Sequence, residues 1–233
     1  MMDAWRTEWA NNKKDIAYKL NSGECGGFYG DAVLILCSVL SALAAEVWPG
    51  DRKDRKRFVE LLKQFAIPKL EATKISIPLL IASLSARGKG SEVTAIQKAF
   101  PKKSPGNVLI EDEVDKNEAE ILAVCGDGVS SKELRDCSYA NLLYREVRCG
   151  YVHEYMPGKR GESRPLTQRP GVRVSYVGWI DGNHPDRDPE QHIHFALEWI
   201  GEIVTCVATA VDQVNSLPFP DPPQWWVDGC SVS

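Results

Sequence analysis

The sequence predicts a mainly α-helical bundle carrying a small β insertion. Three apolar-patterned runs predict the helices. AVLILCSVLSALAAEVW fills 32–48, a capped and periodic run leads from Ser130 to Tyr155, and a last run leads from Pro189 to about 217. Between the second and third lies a stretch rich in Pro, Gly and charge, about 157–189. It contains the β-branched and aromatic segment VRVSYVGWI (172–180), which reads as a strand or hairpin. A chain of 233 residues can bury a substantial core within one domain, taken as 1–233.

Asp31 is placed to cap the first long helix, over about 31–48, and Pro49-Gly50 to stop it. The helix is apolar almost all round, which requires neighbours on most sides. The run is shorter than the roughly 20 residues of a membrane span and contains Glu46, so a buried core helix is expected and no membrane partner. RKDRKRFVELLKQF (52–65) places Phe58, Leu61, Leu62 and Phe65 at helical spacing, and Pro68 ends it. In SIPLLIASLSA (76–86) a short helix is expected to start at Pro78. RGKGS (87–91) and FPKKSPGN (100–107) read as loops, and the acidic stretch 107–122 as ending in a short helix.

Ser130 and Glu133 have capping-box spacing, and SYANLLYREVRCGYVHEY continues helically to Tyr155, before Pro157-Gly158. At 100° per residue, Tyr139, Leu143, Val147 and Tyr151 fall on one face and should pack inward. Arg145, Cys149 and His153 form a second stripe, flanked by Arg148 and lying off the core face. The last helix is expected to start near Pro189. The tail after it, about 218–233, is too rich in proline for a helix, with Trp225 and Trp226 available to pin it to the body or to a partner.

Composition narrows the function. The net charge of −4 gives no global attraction to nucleic acid, so RNA contact requires a local basic patch. The seven cysteines form no CxxC pair and read as reduced thiols of a cytoplasmic protein. The mixed, charged N-terminal segment is unlike a signal peptide. HIH (192–194), with His184 nearby, reads as part of a loop or cap. On a helix His192 and His194 would diverge, and on a strand they would share a face. With no carboxylate or cysteine at zinc spacing, no metal and no cofactor are expected. GECGGFYG (23–30) lacks the Lys-Ser/Thr ending of a phosphate-binding loop and reads as a flexible turn.

Chemistry concentrates in YREVRCGYVHEY (144–155). A neutral histidine takes a proton from a ribose 2′-hydroxyl because imidazole titrates near pH ~6.5. An arginine holds the scissile phosphate through two parallel hydrogen bonds and offsets its developing charge. One histidine serves both proton transfers poorly, so a two-fold dimer apposing two copies of this helix is expected. The plain structural alternative is a polar helix end. Cations there suit the helix dipole, and Glu146 or Glu154 would pair with Arg145, Arg148 or His153. The segment 158–173, with Lys159, Arg160, Arg164, Arg169 and Arg173, directly follows and is placed to bind RNA phosphates.

The motif Arg148-Cys149-Gly150-Tyr151-Val152-His153, at the end of a helix within a helical chain, resembles the HEPN family (higher eukaryote and prokaryote nucleotide-binding domains). Ribonuclease members of that family carry Arg, four to six residues, then His. The resemblance covers about 28–66 and 130–217 and leaves 67–129 unplaced. It implies a helical bundle and a metal-independent endoribonuclease that leaves a 2′,3′-cyclic phosphate. Arg148 would hold the phosphate and His153 would be the acid–base group, with Arg145, Cys149 and Glu154 in support and Lys159, Arg160 and Arg164 on the RNA. It further implies a homodimer in a toxin or antiviral-defence setting, with an antitoxin or defence-system protein as partner. The residue after the Arg, commonly Asn, Asp or His in catalytic members, is Cys149 here. That departure favours the rival reading, a noncatalytic HEPN adaptor or dimerisation module binding a nucleotide, RNA or a protein. A helical scaffold without a nucleic-acid role is the third alternative.

Overall fold

The computed structural model describes residues 4–101, 108–164, 166, 169–179, 189–214 and 225–227. His184, Cys230, most of the 100–107 segment and most of the tail lie outside them. The described chain is mainly helical with one small antiparallel sheet.

Helices α1 (Trp5–Asn21), α2 (Tyr29–Val47) and α3 (Asp54–Phe65) open the fold. α2 is the central element expected of an all-round apolar helix. α1, α3 and the last helix pack on three sides of it, and the helix bearing the Arg–His motif closes a fourth. By length and composition α2 would also suit a membrane span, but Leu36, Leu40 and Leu43 are buried within this bundle. α2 begins two residues earlier than Asp31 predicts. Asp31 sits in its first turn, where its carboxylate accepts the Phe28 N–H at 3.1 Å.

The sequence gives little sign of α1, because the residues it buries are small or charged: Ala10, Ala17 and Arg6. Arg6 is held between Glu46 of α2 and Asp212 of the last helix. Buried charge is tolerated only when paired in this way.

The unplaced middle segment forms a second apolar cluster. Its helices are α4 (Ile77–Ala86), α5 (Gly90–Ala99), α7 (Glu118–Cys125) and α8 (Ser131–Asp136), whereas strand β1 (Val108–Ile110) and α6 (Glu111–Val114) lend Leu109 and Val114 to the main core. Ile75, Leu80, Ile96, Ile121 and Leu134 are fully buried there. α4 starts one residue before the expected Pro78, and Ser76 caps it by accepting the Leu79 N–H at 3.3 Å. Gly90, expected in a loop, opens α5. The Ser130–Glu133 capping box forms as read: the Ser130 hydroxyl accepts the Glu133 N–H, and the Glu133 carboxylate accepts the Ser130 N–H.

The run beyond the cap is not one helix. It breaks at Cys137, whose carbonyl accepts the Ser76 N–H, while Tyr139 and Ala140 donate to the carbonyls of Lys74 and Ala72. A fresh cap, Ser138, then starts α9 (Tyr139–Leu142). A π-helical segment (Leu143–Arg148) and α10 (Cys149–Glu154) continue it, and together these three form the motif helix. Tyr139, Leu143, Val147 and Tyr151 are all buried, as their spacing predicts.

The β insertion is a hairpin of β2 (Val174–Trp179) and β3 (Glu190–Phe195), to which β1 adds a third strand in the order β1-β2-β3. The expectation of a helix from Pro189 is therefore corrected. EQHIHF alternates, burying Ile193 and Phe195 opposite Tyr176 and Val174, and a period of two is a strand pattern. The last helix, α11 (Leu197–Val214), starts after it. In the tail, Trp225 packs edge-on against Trp48, and Trp226 donates its N–H to the buried Glu60 carboxylate at 3.0 Å.

Asp115 joins the two clusters. Its carboxyl is buried and accepts the hydroxyls of Tyr139 and Tyr176 and, at 2.9 Å, the N–H of Ile77. Burial outweighs these donors and pushes its pKa up to about 7. In the unfolded chain it ionises near pH ~4. Between about pH 4 and 7 the folded state therefore holds the extra proton, and this group's contribution to stability falls as pH rises through that window. We expect Tm to drop by about 5 °C or more from pH 5 to pH 8, and Asp115→Asn to flatten that slope. Thermal melts of both proteins across the window provide the check, and an equal slope in the variant would exclude Asp115 as its source.

Candidate active site on the motif helix

The motif helix is fixed at both ends. Tyr139 anchors its start to Asp115. At its far end the chain turns at Tyr155, in the left-handed region with φ 55°, and folds back along the helix. Two glycines permit the close approach. A Cβ on Gly150 would sit 2.4 Å from the Gly158 nitrogen, and one on Gly158 would sit 2.9 Å from the Glu146 Cα. The Gly158 N–H donates to the Glu146 carbonyl within the π-helical segment. Such wide turns interrupt the regular i→i−4 ladder and recur at functional sites.

Glu146 organises this turn. Its buried carboxylate accepts from Arg145 at 2.7 Å and from the Arg160 N–H at 3.1 Å. Arg145, expected to support the phosphate site, is thus committed to its neighbour, although its guanidinium remains partly exposed. Arg148 is different. It is half-buried, its guanidinium lies 5.2 Å from the centre of the Tyr144 ring, and no carboxylate pairs with it among the described residues. His153 and Glu154 are exposed and make no ion pair among the described residues. Cys149 is half-buried near Tyr144, whose hydroxyl pKa is raised first by burial and then by the nearby thiol. Five residues of α-helix separate Arg148 from His153 by about 140° around the axis, so the two do not share one helix face. Around His153 the surface is apolar, with Val152, Tyr155 and Met156 exposed.

The basic segment is less free than its composition suggests. Residues 160–162 run beside β3: Ile193 donates to the Arg160 carbonyl and Glu162 donates to the Ile193 carbonyl, both at 2.8 Å. Arg173 is clamped by Glu111 and Glu71. Lys159 extends into solvent, and both it and Arg160 reach Glu190 at only 3.9 Å. Arg164 is exposed.

Sequence reading passes over a concavity of about 710 Å³, lined by Tyr29, Lys69, Ser175, His194, Trp199 and Glu202 among others. His194 and Ser175 face each other across β2 and β3. The His194 ring nitrogen Nδ1 lies 3.0 Å from the Glu162 carbonyl, which makes Nδ1 the donor, and burial lowers its pKa. The available signal was the HIH alternation, had it been read as a strand. Neither Arg148 nor His153 lines this concavity. Among the described residues no cluster of three or more His, Cys, Asp or Glu is placed to hold a metal.

Gly150→Ala tests the folded-back turn. Helix propensity alone favours alanine by about 1 kcal/mol, whereas a clash with backbone atoms costs roughly 1–3 kcal/mol. We expect net destabilisation in urea titrations. A stabilised variant would mean that the 156–158 segment does not lie against the helix.

No family model, curated protein or solved structure matches the chain, so the functional reading rests on this geometry.

Proposed function

We propose that the chain is a metal-independent endoribonuclease of HEPN type that acts as a homodimer. The observation that carries this reading is the difference in pairing along one helix. Glu146 neutralises Arg145, while Arg148 and His153 have no carboxylate partner among the described residues. A helix end serving only its own stability would be expected to pair these cations too, since Glu146 and Glu154 are near in sequence. An unpaired guanidinium is available to a phosphate, and an exposed imidazole to a ribose hydroxyl.

The chemistry follows from these two groups. His153 of one protomer takes the 2′-hydroxyl proton as the 2′-oxygen attacks phosphorus. The P–O5′ bond breaks, and the departing 5′-oxygen receives a proton from the protonated imidazole of the second protomer's His153, which is left neutral. The products are a 2′,3′-cyclic phosphate and a 5′-hydroxyl. Arg148 offsets the charge on the phosphoryl oxygens. The angular separation of Arg148 from His153 on one helix supports a cleft shared by two copies, as does the apolar rim of Val152, Tyr155 and Met156. Exposed apolar groups clustered in this way mark contact surfaces. A cytoplasmic setting, with a toxin or defence role and a protein that restrains the enzyme, accords with this activity. The alternative, a noncatalytic adaptor module, is favoured by Cys149, which stands where catalytic HEPN members commonly carry Asn, Asp or His.

His153→Ala is expected to lower RNA cleavage by about 10²–10⁴-fold, and Arg148→Ala by about 10²–10³-fold. His153→Ala should keep Tm within about 2 °C, as exposed positions do, whereas Arg148→Ala also removes the Tyr144 contact and should lower it by about 2–4 °C while leaving the protein folded. Wild-type cleavage should survive EDTA and leave cyclic phosphate ends. Full cleavage by folded His153→Ala would remove the catalytic assignment and leave the adaptor reading.

The dimer has its own test. Met156→Asp places a charge on the apolar rim, and we expect it to convert the dimer to a monomer by mass measurement and to abolish cleavage with it. A wild-type protein that stays monomeric at micromolar concentration would exclude the shared cleft.

A further inference from the structure

Trp179 ends β2 with its side chain 55% exposed, although a tryptophan on a strand is normally kept for the core. Its surroundings are not those of an ordinary protein contact. The His192 ring lies 6.1 Å from its own, inclined by 56°. Directly across the strand pair is Glu190, which reaches Lys159 and Arg160. Those two contacts, at 3.9 Å and open to solvent, are of the kind that contributes little, so an incoming phosphate can displace Glu190 from both cations. An exposed aromatic face, a second ring beside it and two cations within one side chain's reach are the parts of a nucleobase platform. The aromatic stacks the base, and the cations hold the adjoining phosphates.

The location adds to this. Lys159 lies six residues beyond His153, a chain distance of at most about 20 Å. The connecting segment is held down by the Gly158–Glu146 hydrogen bond and by residues 160–162 against β3. The platform therefore has a fixed relation to the motif helix.

We infer that Trp179, with His192, Lys159 and Arg160, forms a stacking subsite for an unpaired base of single-stranded RNA next to the Arg148–His153 motif. The inference rests on the ribonuclease reading for its biological substrate and deepens it by naming the class: a strand whose bases are free to leave the stack. A duplex offers no open base face to Trp179, so paired RNA is excluded from the subsite. Charge complementarity favours this occupant over an apolar protein surface, since Lys159 and Arg160 both reach Glu190, the residue opposite Trp179.

Binding is tested separately from cleavage by using a labelled single-stranded 12-mer carrying 2′-O-methyl groups, which lacks the attacking hydroxyl, and a blunt duplex of the same sequence. Fluorescence anisotropy is read with the wild-type protein and with Trp179→Phe and Trp179→Leu. The wild type is expected to prefer the single strand. Trp179→Leu, which keeps apolar bulk without a π face, should weaken single-strand binding by about 5- to 150-fold, leave duplex binding unchanged and so erase the preference. Trp179→Phe should retain most of it. Equal single-strand affinity of Trp179→Leu and wild type would overturn the subsite, as would no binding of the 12-mer by the wild type. The ribonuclease reading stands or falls separately, on cleavage of unmodified RNA by the wild type against His153→Ala.

Discussion

Asp115 lies at the seam between the two apolar clusters, and three elements distant in sequence meet at its carboxyl: the start of α4 through Ile77, the motif helix through Tyr139 and β2 through Tyr176. A carboxyl taken out of water is costly unless its oxygens find donors, and here each donor comes from a different element. Directional bonds thus specify an arrangement that apolar packing alone would leave loose. Tyr139 and Tyr176 are themselves fully buried, so neither can move without disturbing the core around Phe195 and Trp199, whose rings stack at 5.4 Å. The sheet and the motif helix are therefore positioned by one polar contact set within an otherwise apolar interior.

From that anchor the candidate site is built outward. The motif helix leaves Asp115 with its buried face fixed by Leu143, Val147 and Tyr151, passes through the π-helical segment and ends where the returning chain covers Glu146 and Gly150. Arg148 closes the π-helical segment and His153 stands at the exposed end. The same returning chain then docks on β3, so the helix end, the basic residues and the sheet edge are mechanically one piece. His194 adds a buried peg on the sheet side, its Nδ1 against the Glu162 carbonyl and its ring 4.9 Å from that of Tyr29.

Much of this was legible where one periodicity dominated. α2, α3 and the inward face of the motif helix follow directly from apolar spacing, and the Ser130 cap from two side chains. Legibility failed where tertiary contacts overrode local pattern. α1 buries alanines and a paired arginine, so it has no apolar stripe to read. Residues 190–195 carry a strand alternation that the long apolar helix after them masked. β1 is three residues long and owes its existence to β2. The π-helical segment packs against the returning chain, where Gly150 and Gly158 meet partners six to twelve positions away. The candidate residues Arg148 and His153 were legible as a spacing. Their lack of carboxylate partners was not, because Glu146 and Glu154 are near in sequence, yet Glu146 is taken by Arg145 and Glu154 makes no ion pair among the described residues.

The packing of α1 against α11 has a consequence for biosynthesis. Arg6 and Asp212 are 206 positions apart, yet with Glu46 they clasp the faces of α2 that those two helices cover. During translation, at about 5–20 residues per second, α2 emerges early and waits for α11 before that side of it is sheltered. Over those seconds this long apolar helix is available to other surfaces, including membranes and nascent neighbours. The native state is thus reached through a long-range closure, and a chaperone that shields α2 until residue 214 has emerged would act at the step where this fold is most exposed to misassembly.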